Sequence, residues 1–367
     1  MKSKKTAGHK SKIIIRGTLL GFLVIPIFFG FSTPAPNGTS YDSPPSTVSE
    51  LRILYDLTYL KEGRLVHDQK IFREQLQMIR EAEAFIVADF FLYNNYYNTE
   101  KYDFPDTAQQ LTDTLVAKKR DHPELAAYVI TDEINNSYSA SLSNQLQQLK
   151  DNGIEVVVTD AGKIRDSNPL YAGYYRAYVK HFGSGDDGWM KNPFGDNGPG
   201  VNLRNYLRLL NFKANHRKVL ITDQGAMVSS SNPHDGSAYH SNIAFKFSGE
   251  AVKYLLESEK AAAAFSGTEI KGVEYRYDPS AIREDTEVRI LTEDKIRDKI
   301  LESIEATEAG DEIDLGMFYL AHREIIQKLV EASGRGVEVR LVLDPNKDAF
   351  GFEKNGIPNR QAAAELL

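Results

Sequence analysis

The chain contains no cysteine among its 367 residues. That absence excludes disulfides, zinc–thiolate sites, iron–sulfur clusters and a cysteine nucleophile. The sequence also lacks a glycine-rich loop of the Walker or dinucleotide-binding type, which excludes the common nucleotide-binding folds that depend on one. With 41% hydrophobic and 26% charged residues, the composition is that of a globular protein, and the length predicts roughly two domains.

Acidic residues outnumber basic ones outside the amino terminus. Residues 1–31 hold six Lys or Arg and no acid, so residues 32–367 hold the other 38 bases against all 51 acids, a net charge of −13. Non-specific nucleic-acid binding requires a basic surface. We therefore expect no nucleic-acid partner.

The amino terminus combines a basic tail with an uncharged apolar run. Residues 17–31 carry no charge, and counting from Ile13 gives 19 residues, enough to span a bilayer. A cleaved signal peptide and a buried core helix are the alternatives, but no Ala-x-Ala-like site follows Phe31. We predict a transmembrane signal anchor within residues 1–31 and a Pro/Ser-rich tether over 32–49. The positive-inside rule then places the remainder outside the cytoplasm, as a single-pass protein of the cell membrane.

Beyond the tether, apolar strand-like runs alternate with amphipathic helical segments, which predicts an α/β fold with a parallel or mixed sheet. The predicted strands are 51–57, 85–93, 127–132 and 154–159, and the predicted helices are 68–82, 108–119 and 143–152.

The same order of elements then begins again. The run Leu51–Leu54 is echoed by Val288–Leu291, followed by predicted helices at 294–306 and 323–333 and strands at 312–320 and 337–344. We interpret this as a duplicated unit, with the first copy at 50–265, a linker at 266–285 and a second, truncated copy at 286–367. The alternative is that successive βα units look alike without being repeats.

One cluster in the first copy has the residue types of a phosphate site. In the predicted strand around Val219–Ile221, His216 and Lys218 are two residues apart and therefore project to one side. A second strand, Ala226–Ser229, is expected to return Ser230 and Asn232 beside them. An ammonium, a hydroxyl and a carboxamide bind phosphate oxygens, and a neutral imidazole can attack phosphorus.

The pattern His216-x-Lys218-x4-Asp223, followed by Ser230 and Asn232, resembles the signature of the phospholipase D superfamily. The resemblance covers about residues 50–367 and implies duplicated α-β-α sandwich repeats, here the first complete and the second truncated, preceded by a transmembrane helix. It further implies that His216 is a nucleophile forming a phosphohistidine or a general acid, and that no metal or other cofactor is required.

The resemblance also assigns the remaining residues. Lys218 and Asn232 would hold non-bridging phosphate oxygens with Ser230 beside them, and Asp223 would support the motif by hydrogen bonding. The sequence departs from the family at Ser229, where members usually have glycine.

The second motif that family enzymes use is not found, because of the eight histidines only His216 is followed two residues on by Lys. Three interpretations stay open: the sequence is a fragment, two chains pair in a homodimer to complete one site, or the product is inactive.

Two further features have competing interpretations. One interpretation is a metal site formed by His216, His234, His240 and Asp235. The ammonium of Lys218 among them would repel a cation, so no metal is expected. The aromatic-rich segment 170–212 is either a lid or lipid-facing rim over the site, or an ordinary surface excursion.

The resemblance, together with the anchor, favours a membrane enzyme similar to cardiolipin synthases and phospholipases D. Such an enzyme transfers a phosphatidyl group from a phospholipid to an alcohol or to water. The alternatives are a nuclease on the same scaffold and a catalytically incomplete protein that only binds lipid headgroups.

Overall fold

The computed structural model of the chain describes residues 3–31, 33–182, 188–281, 283–345, 348–349, 352–353 and 355–367. Residues 1 and 2 of the predicted tail, residue 32 of the tether, residue 282 of the linker and the gaps within the predicted second copy therefore lie outside the described residues. The contacts divide the chain into two compact units, residues 1–39 with 43–290 and residues 40–42 with 291–367.

The first unit is built on a nine-stranded mixed sheet. Its strands are β1 Ser46–Lys61, β2 Arg64–Gln69, β3 Phe85–Phe90, β4 Ala126–Thr131, β5 Glu155–Val158, β6 Lys218–Thr222, β7 Gly225–Ser229, β8 Asn242–Gly249 and β9 Arg283–Val288. Their order is β2-β1-β8-β7-β6-β3-β4-β5, with β9 paired to β1. β3, β4 and β5 run parallel, and β6 runs antiparallel to β3.

The helices of this unit are α1 Ser3–Phe31, α2 Lys70–Glu81, α3 Thr107–Asp121, α4 Asn144–Asp151, α5 Pro169–Tyr174, α6 Leu203–Leu209 and α7 Ala251–Phe265. Apolar residues of α2, α3 and α4 form one buried core with residues of β3, β4 and β6, including Phe90 and Leu220. All six residues of β3 are buried, which explains why the strand is apolar except for Asp89.

The second unit contains a small parallel sheet. β10 (Glu312–Met317) pairs with β11 (Glu338–Leu343), and the helices are α8 Asp294–Glu305, α9 Arg323–Gly334 and α10 Asn359–Leu366. Two short strands, β12 Asp348–Ala349 and β13 Phe352–Glu353, pair with each other. Its core includes Ile326, Leu329 and Ala332 of α9. The mixed α/β class is thus confirmed, while the duplication stays a prediction.

The predicted transmembrane anchor is not supported. Among the described residues, no helix is both long enough and apolar enough to cross a bilayer. The segment is helical as α1, and one side of it packs against α5 and the π-helical turn Tyr175–Val179 that follows. The hydroxyls of Tyr174 and Tyr178 donate to the backbone oxygens of Leu23 and Phe22 at 2.6 Å each.

Candidate functional site

The candidate site lies at one edge of the large sheet, where β3 and β4 end and β6 begins. Because β6 is antiparallel to β3, its first residue, Lys218, pairs with Phe90, the last residue of β3. The pairing continues one step further, with the backbone N–H of Phe91 donating to the carbonyl oxygen of Arg217 at 2.9 Å. The carboxyl ends of parallel strands are a common position for ligand sites in α/β proteins.

His216 and Lys218 meet on the ring of Phe91. The imidazole and phenyl centroids are 4.5 Å apart, and the Lys218 Nζ lies 4.9 Å from the same phenyl centroid. Lys218 Nζ also donates to the backbone oxygen of His216 at 2.6 Å. The structure therefore places the imidazole and the ammonium predicted from the sequence close together.

Arg217, between them, reaches in another direction. Its Nη1 donates to the backbone oxygen of Ser258 at 3.0 Å and lies 3.3 Å from Oε1 of Glu259, both on α7. Successive side chains of an extended segment point to opposite sides, so Arg217 faces away from His216 and Lys218. Arg217 therefore connects the segment to α7, while His216 and Lys218 stay at the sheet edge.

The electrostatics favour a neutral imidazole beside a charged ammonium. Burial of the ring by its neighbours, together with the charge of Lys218, lowers the pKa of His216 to about 4. The residue as a whole is nevertheless exposed, so the ring is accessible. Because its pKa is lowered, the ring is neutral at pH 7. Burial lowers the pKa of Lys218 to about 8, against the opposing charges of Asp89 and Asp132. A neutral imidazole has a free lone pair, and an adjacent cation can balance charge on a phosphate.

Buried carboxylates hold the segment that precedes the motif. The Asn215 side-chain amide donates to both carboxylate oxygens of Asp89 at 2.9 Å, and its backbone N–H donates to Asp132 Oδ2 at 2.7 Å. Burial raises the pKa of Asp132 to about 7 and also raises that of Asp89. Sequence reasoning missed these residues and Phe91. The available signal was their position at or directly after the ends of β3 and β4.

Asn232 and Ser230 occupy different surroundings. Asn232 Oδ1 accepts from the backbone N–H of Leu92 at 3.0 Å, which places it next to Phe91 and hence near the His216 ring. The Ser230 hydroxyl donates to Asn242 Oδ1 and accepts from the N–H of Ile243, both at 3.0 Å, so its hydrogen bonds connect it to β8.

Asp223 is not brought together with the rest of the motif. It follows the carboxyl end of β6, whereas His216 precedes the amino end, so the length of the strand separates them. Its Oδ1 accepts from the backbone N–H groups of Glu83 and Ala84 at 2.8 and 3.1 Å. Asp223 thus fixes the turn that enters β3.

The other residues weighed from the sequence have structural contacts. Nε2 of His234 lies 2.9 Å from the backbone oxygen of Tyr96, and its Nδ1 lies 3.1 Å from the Ser237 hydroxyl. Asp235 Oδ1 accepts from the hydroxyl of Thr107 and the N–H of Ala108 at the start of α3. Both residues connect the loop after β7 to neighbouring segments.

The comparisons with known proteins locate a family match in the second unit. A family model described as "Cardiolipin synthase, PLD-like domain" matches residues 300–367. No curated protein matches the sequence. The family match does not include the His216 motif, which lies in the first unit.

Several solved structures have a similar arrangement at low identity. The phosphatidylserine synthase of Haemophilus influenzae Rd KW20 has a TM-score of 0.49 and 11% identity, over 83% of this chain and 64% of that one. Nuc from Salmonella typhimurium, a phospholipase D family member, has a TM-score of 0.31 and 13% identity, over 60% and 94%. The polyphosphate kinase of Porphyromonas gingivalis has a TM-score of 0.42 and 10% identity, over 80% and 38%. Since all three scores are below 0.5, these likenesses carry no functional argument.

Proposed function

We propose, on the premise that this chain belongs to the phospholipase D superfamily, that it is an enzyme that breaks and re-forms phosphodiester bonds of phospholipids. One observation carries the proposal: the neutral imidazole of His216 and the ammonium of Lys218 share the ring of Phe91 at an open sheet edge. The family match to a cardiolipin synthase-type domain supports a lipid substrate.

In the proposed reaction, a ring nitrogen of His216 attacks the phosphorus of the phosphodiester. A P–N bond forms, the P–O bond to the leaving alcohol breaks, and the leaving oxygen takes up a proton. Lys218 balances charge on the non-bridging oxygens and the side-chain amide of Asn232 contributes hydrogen bonds. The Ser230 hydroxyl is already engaged with Asn242 and Ile243. An alcohol or water then attacks the phosphohistidine and releases His216, yielding a new phosphodiester or a phosphatidic acid.

The leaving oxygen needs assistance, and we propose that the neutral His216 ring of a second copy donates an N–H hydrogen bond to it while it takes its proton from water. Mixing tests this. Suppose that each active dimer needs two intact histidines. After exchange, an equal mixture of wild type and His216→Ala should then have about a quarter of the activity of the same total amount of wild type, because only that share of dimers is wild type on both sides. A residual activity of half would instead mean that each chain works alone.

The predicted repeat belongs to the same proposal. In the first unit β3, α3, β4 and α4 follow one another, with β3 parallel to β4. In the second unit β10, α9, β11 and α10 follow in that order, apart from the short strands β12 and β13, and β10 is parallel to β11. The family match over 300–367 supports reading the second unit as a phospholipase D-like repeat. A location at the cell membrane stays a prediction.

The direct test is turnover of phosphatidylglycerol vesicles, followed by the released and transferred headgroups. His216→Ala should reduce the rate at least about 10³-fold, and Lys218→Met about 10²–10³-fold. His122→Ala, which removes an exposed histidine after α3, is the matched control and should retain full activity. Retained turnover in His216→Ala would contradict the proposal. Headgroup binding without turnover in any variant would favour a binding protein, and salt-sensitive cleavage of DNA would favour a nuclease.

A further inference from the structure

A polar cavity lies in the first unit, and it does not include the His216 motif. Its volume is about 320 Å³, and it is lined by residues following β4 and β5 and by α5, the π-helical turn and α6. Small-molecule sites commonly enclose roughly 300–1,000 Å³, so the cavity is large enough for a small organic anion. No residue of the predicted motif lines it.

Positive charge predominates in this cavity. Five cationic side chains line it: Lys163, Arg176, Lys180, Arg208 and Lys213. Among the described residues, three carboxylates accompany them, Glu133 and Asp160 in the lining and Asp166 in contact with Arg176 and Lys213. Within that part of the chain, cationic side chains therefore outnumber carboxylates around the cavity, five to three.

The centre of this group of charges is one buried carboxylate with two cations beside it. The Asp166 carboxylate, with a side chain only 1% exposed, pairs with two cations, Arg176 at 2.5 Å and Lys213. Lys213 Nζ also donates to the backbone oxygen of Ile164 at 2.7 Å. An ammonium has three N–H donors, so one remains for a ligand. Burial lowers the pKa of Lys213 despite Asp166, an effect that a bound anion would reverse.

The other cations are arranged around this pair. Arg208 is held in a bidentate pair with Glu133 at 2.5 Å and lies 3.8 Å from Asp160. Lys163 and Lys180 are exposed at the cavity, and within the described part of the chain no carboxylate pairs with Lys180. Lys163 Nζ donates to the backbone oxygen of Phe265 at 2.7 Å and lies 3.9 Å from Asp160. A buried, pre-positioned cation with exposed lysines beside it is an arrangement that suits an oxyanion.

We propose that this cavity is a separate binding site for a phosphate group on a small molecule or a lipid headgroup. The site does not depend on chemistry at His216. One hydrogen bond connects it to the motif: Glu133 in the lining follows Asp132, which accepts from the backbone N–H of Asn215, the residue before His216. A phosphate-bearing compound could therefore occupy this cavity while a phosphodiester occupies the motif.

The test is calorimetric titration of the full chain with sn-glycerol 3-phosphate and with inorganic phosphate. Lys163→Ala/Lys180→Ala removes two exposed charges without touching the buried pair and should weaken binding at least about tenfold. Lys70→Ala/Lys271→Ala, which removes two exposed lysines elsewhere in the same unit, is the charge-matched control and should bind like wild type.

Lys218→Met separates this site from the motif. Binding that survives Lys218→Met and is weakened by Lys163→Ala/Lys180→Ala supports the proposal whether or not the enzyme proposal holds. Binding that is lost only in Lys218→Met, or no binding to either probe, would overturn it. Vesicles containing phosphatidylglycerol that compete with glycerol 3-phosphate would identify a lipid headgroup as the source, and a lack of competition would identify a free phosphate compound.

Discussion

The ammonium of Lys218 donates to the backbone oxygen of His216 at 2.6 Å, two residues earlier along the chain. This contact bends the lysine side chain back beside the histidine, so its charge disfavours protonation of the imidazole. Burial of the ring and, after it, the charge of Lys218 keep the histidine neutral, and both side chains lie next to the ring of Phe91.

The first prediction concerns pH. His216 must be neutral to attack, so kcat/KM should fall as pH drops through about 4, not through the ordinary imidazole value. Lys218 must be protonated to balance phosphate charge, so kcat/KM should fall as pH rises through about 8. A profile measured from about pH 3 to about pH 10 checks both limbs.

Lys218→Arg is the control for the alkaline limb. Arginine remains charged throughout this range, so the variant should lose that limb even if its rate is lower. An acid limb near pH 6.5 in the wild type would show that His216 is not held neutral.

The second prediction concerns Phe91, which contacts both motif side chains. Phe91→Leu removes the aromatic face under the ammonium, a contribution of about 0.5–2 kcal/mol. We expect kcat/KM to fall roughly twofold to thirtyfold. Phe91→Tyr keeps the face and should retain most of the activity. Equal loss in both variants would mean that packing volume, not the aromatic face, is what matters.

The third prediction separates Asp223 from the chemistry. Asp223→Ala leaves the N–H groups of Glu83 and Ala84 without their acceptor and should cost about 1–3 kcal/mol in the free energy of unfolding. Asp223→Asn keeps an acceptor oxygen and should recover part of that loss. Urea unfolding measures the stability.

Activity provides the second readout on Asp223. At temperatures where the variant is folded, both limbs of its pH profile should match those of the wild type. A displaced limb would place Asp223 in the reacting machinery instead.

Much of the fold follows from the sequence pattern because its signals are local. β3 is an apolar run broken only by Asp89, and α2 and α3 are amphipathic, so each was predicted within a few residues. β8 was missed and β1 was predicted too short. Both depend on distant partners: Ile53 of β1 pairs with Phe245 of β8, nearly two hundred residues away. A single segment does not contain that information.

The same distinction applies to the site. Two-residue spacing on an extended segment correctly predicted that His216 and Lys218 lie together, because alternation is a local property. The spacing of Asp223 offered no such guide, and the strand places it at the opposite end of β6. Asp89 and Asp132 join the site only because β3 and β4 lie side by side next to β6.

The most direct test of the account is to trap the covalent intermediate. The full chain is mixed with phosphatidylglycerol vesicles, quenched in alkali within one turnover, digested and analysed by mass spectrometry. The account predicts a phosphoryl-linked adduct on the peptide that contains His216, absent from the His216→Ala protein and present in the His122→Ala control. Turnover without an adduct, or with the adduct on another residue, would contradict the assignment of His216 as the nucleophile.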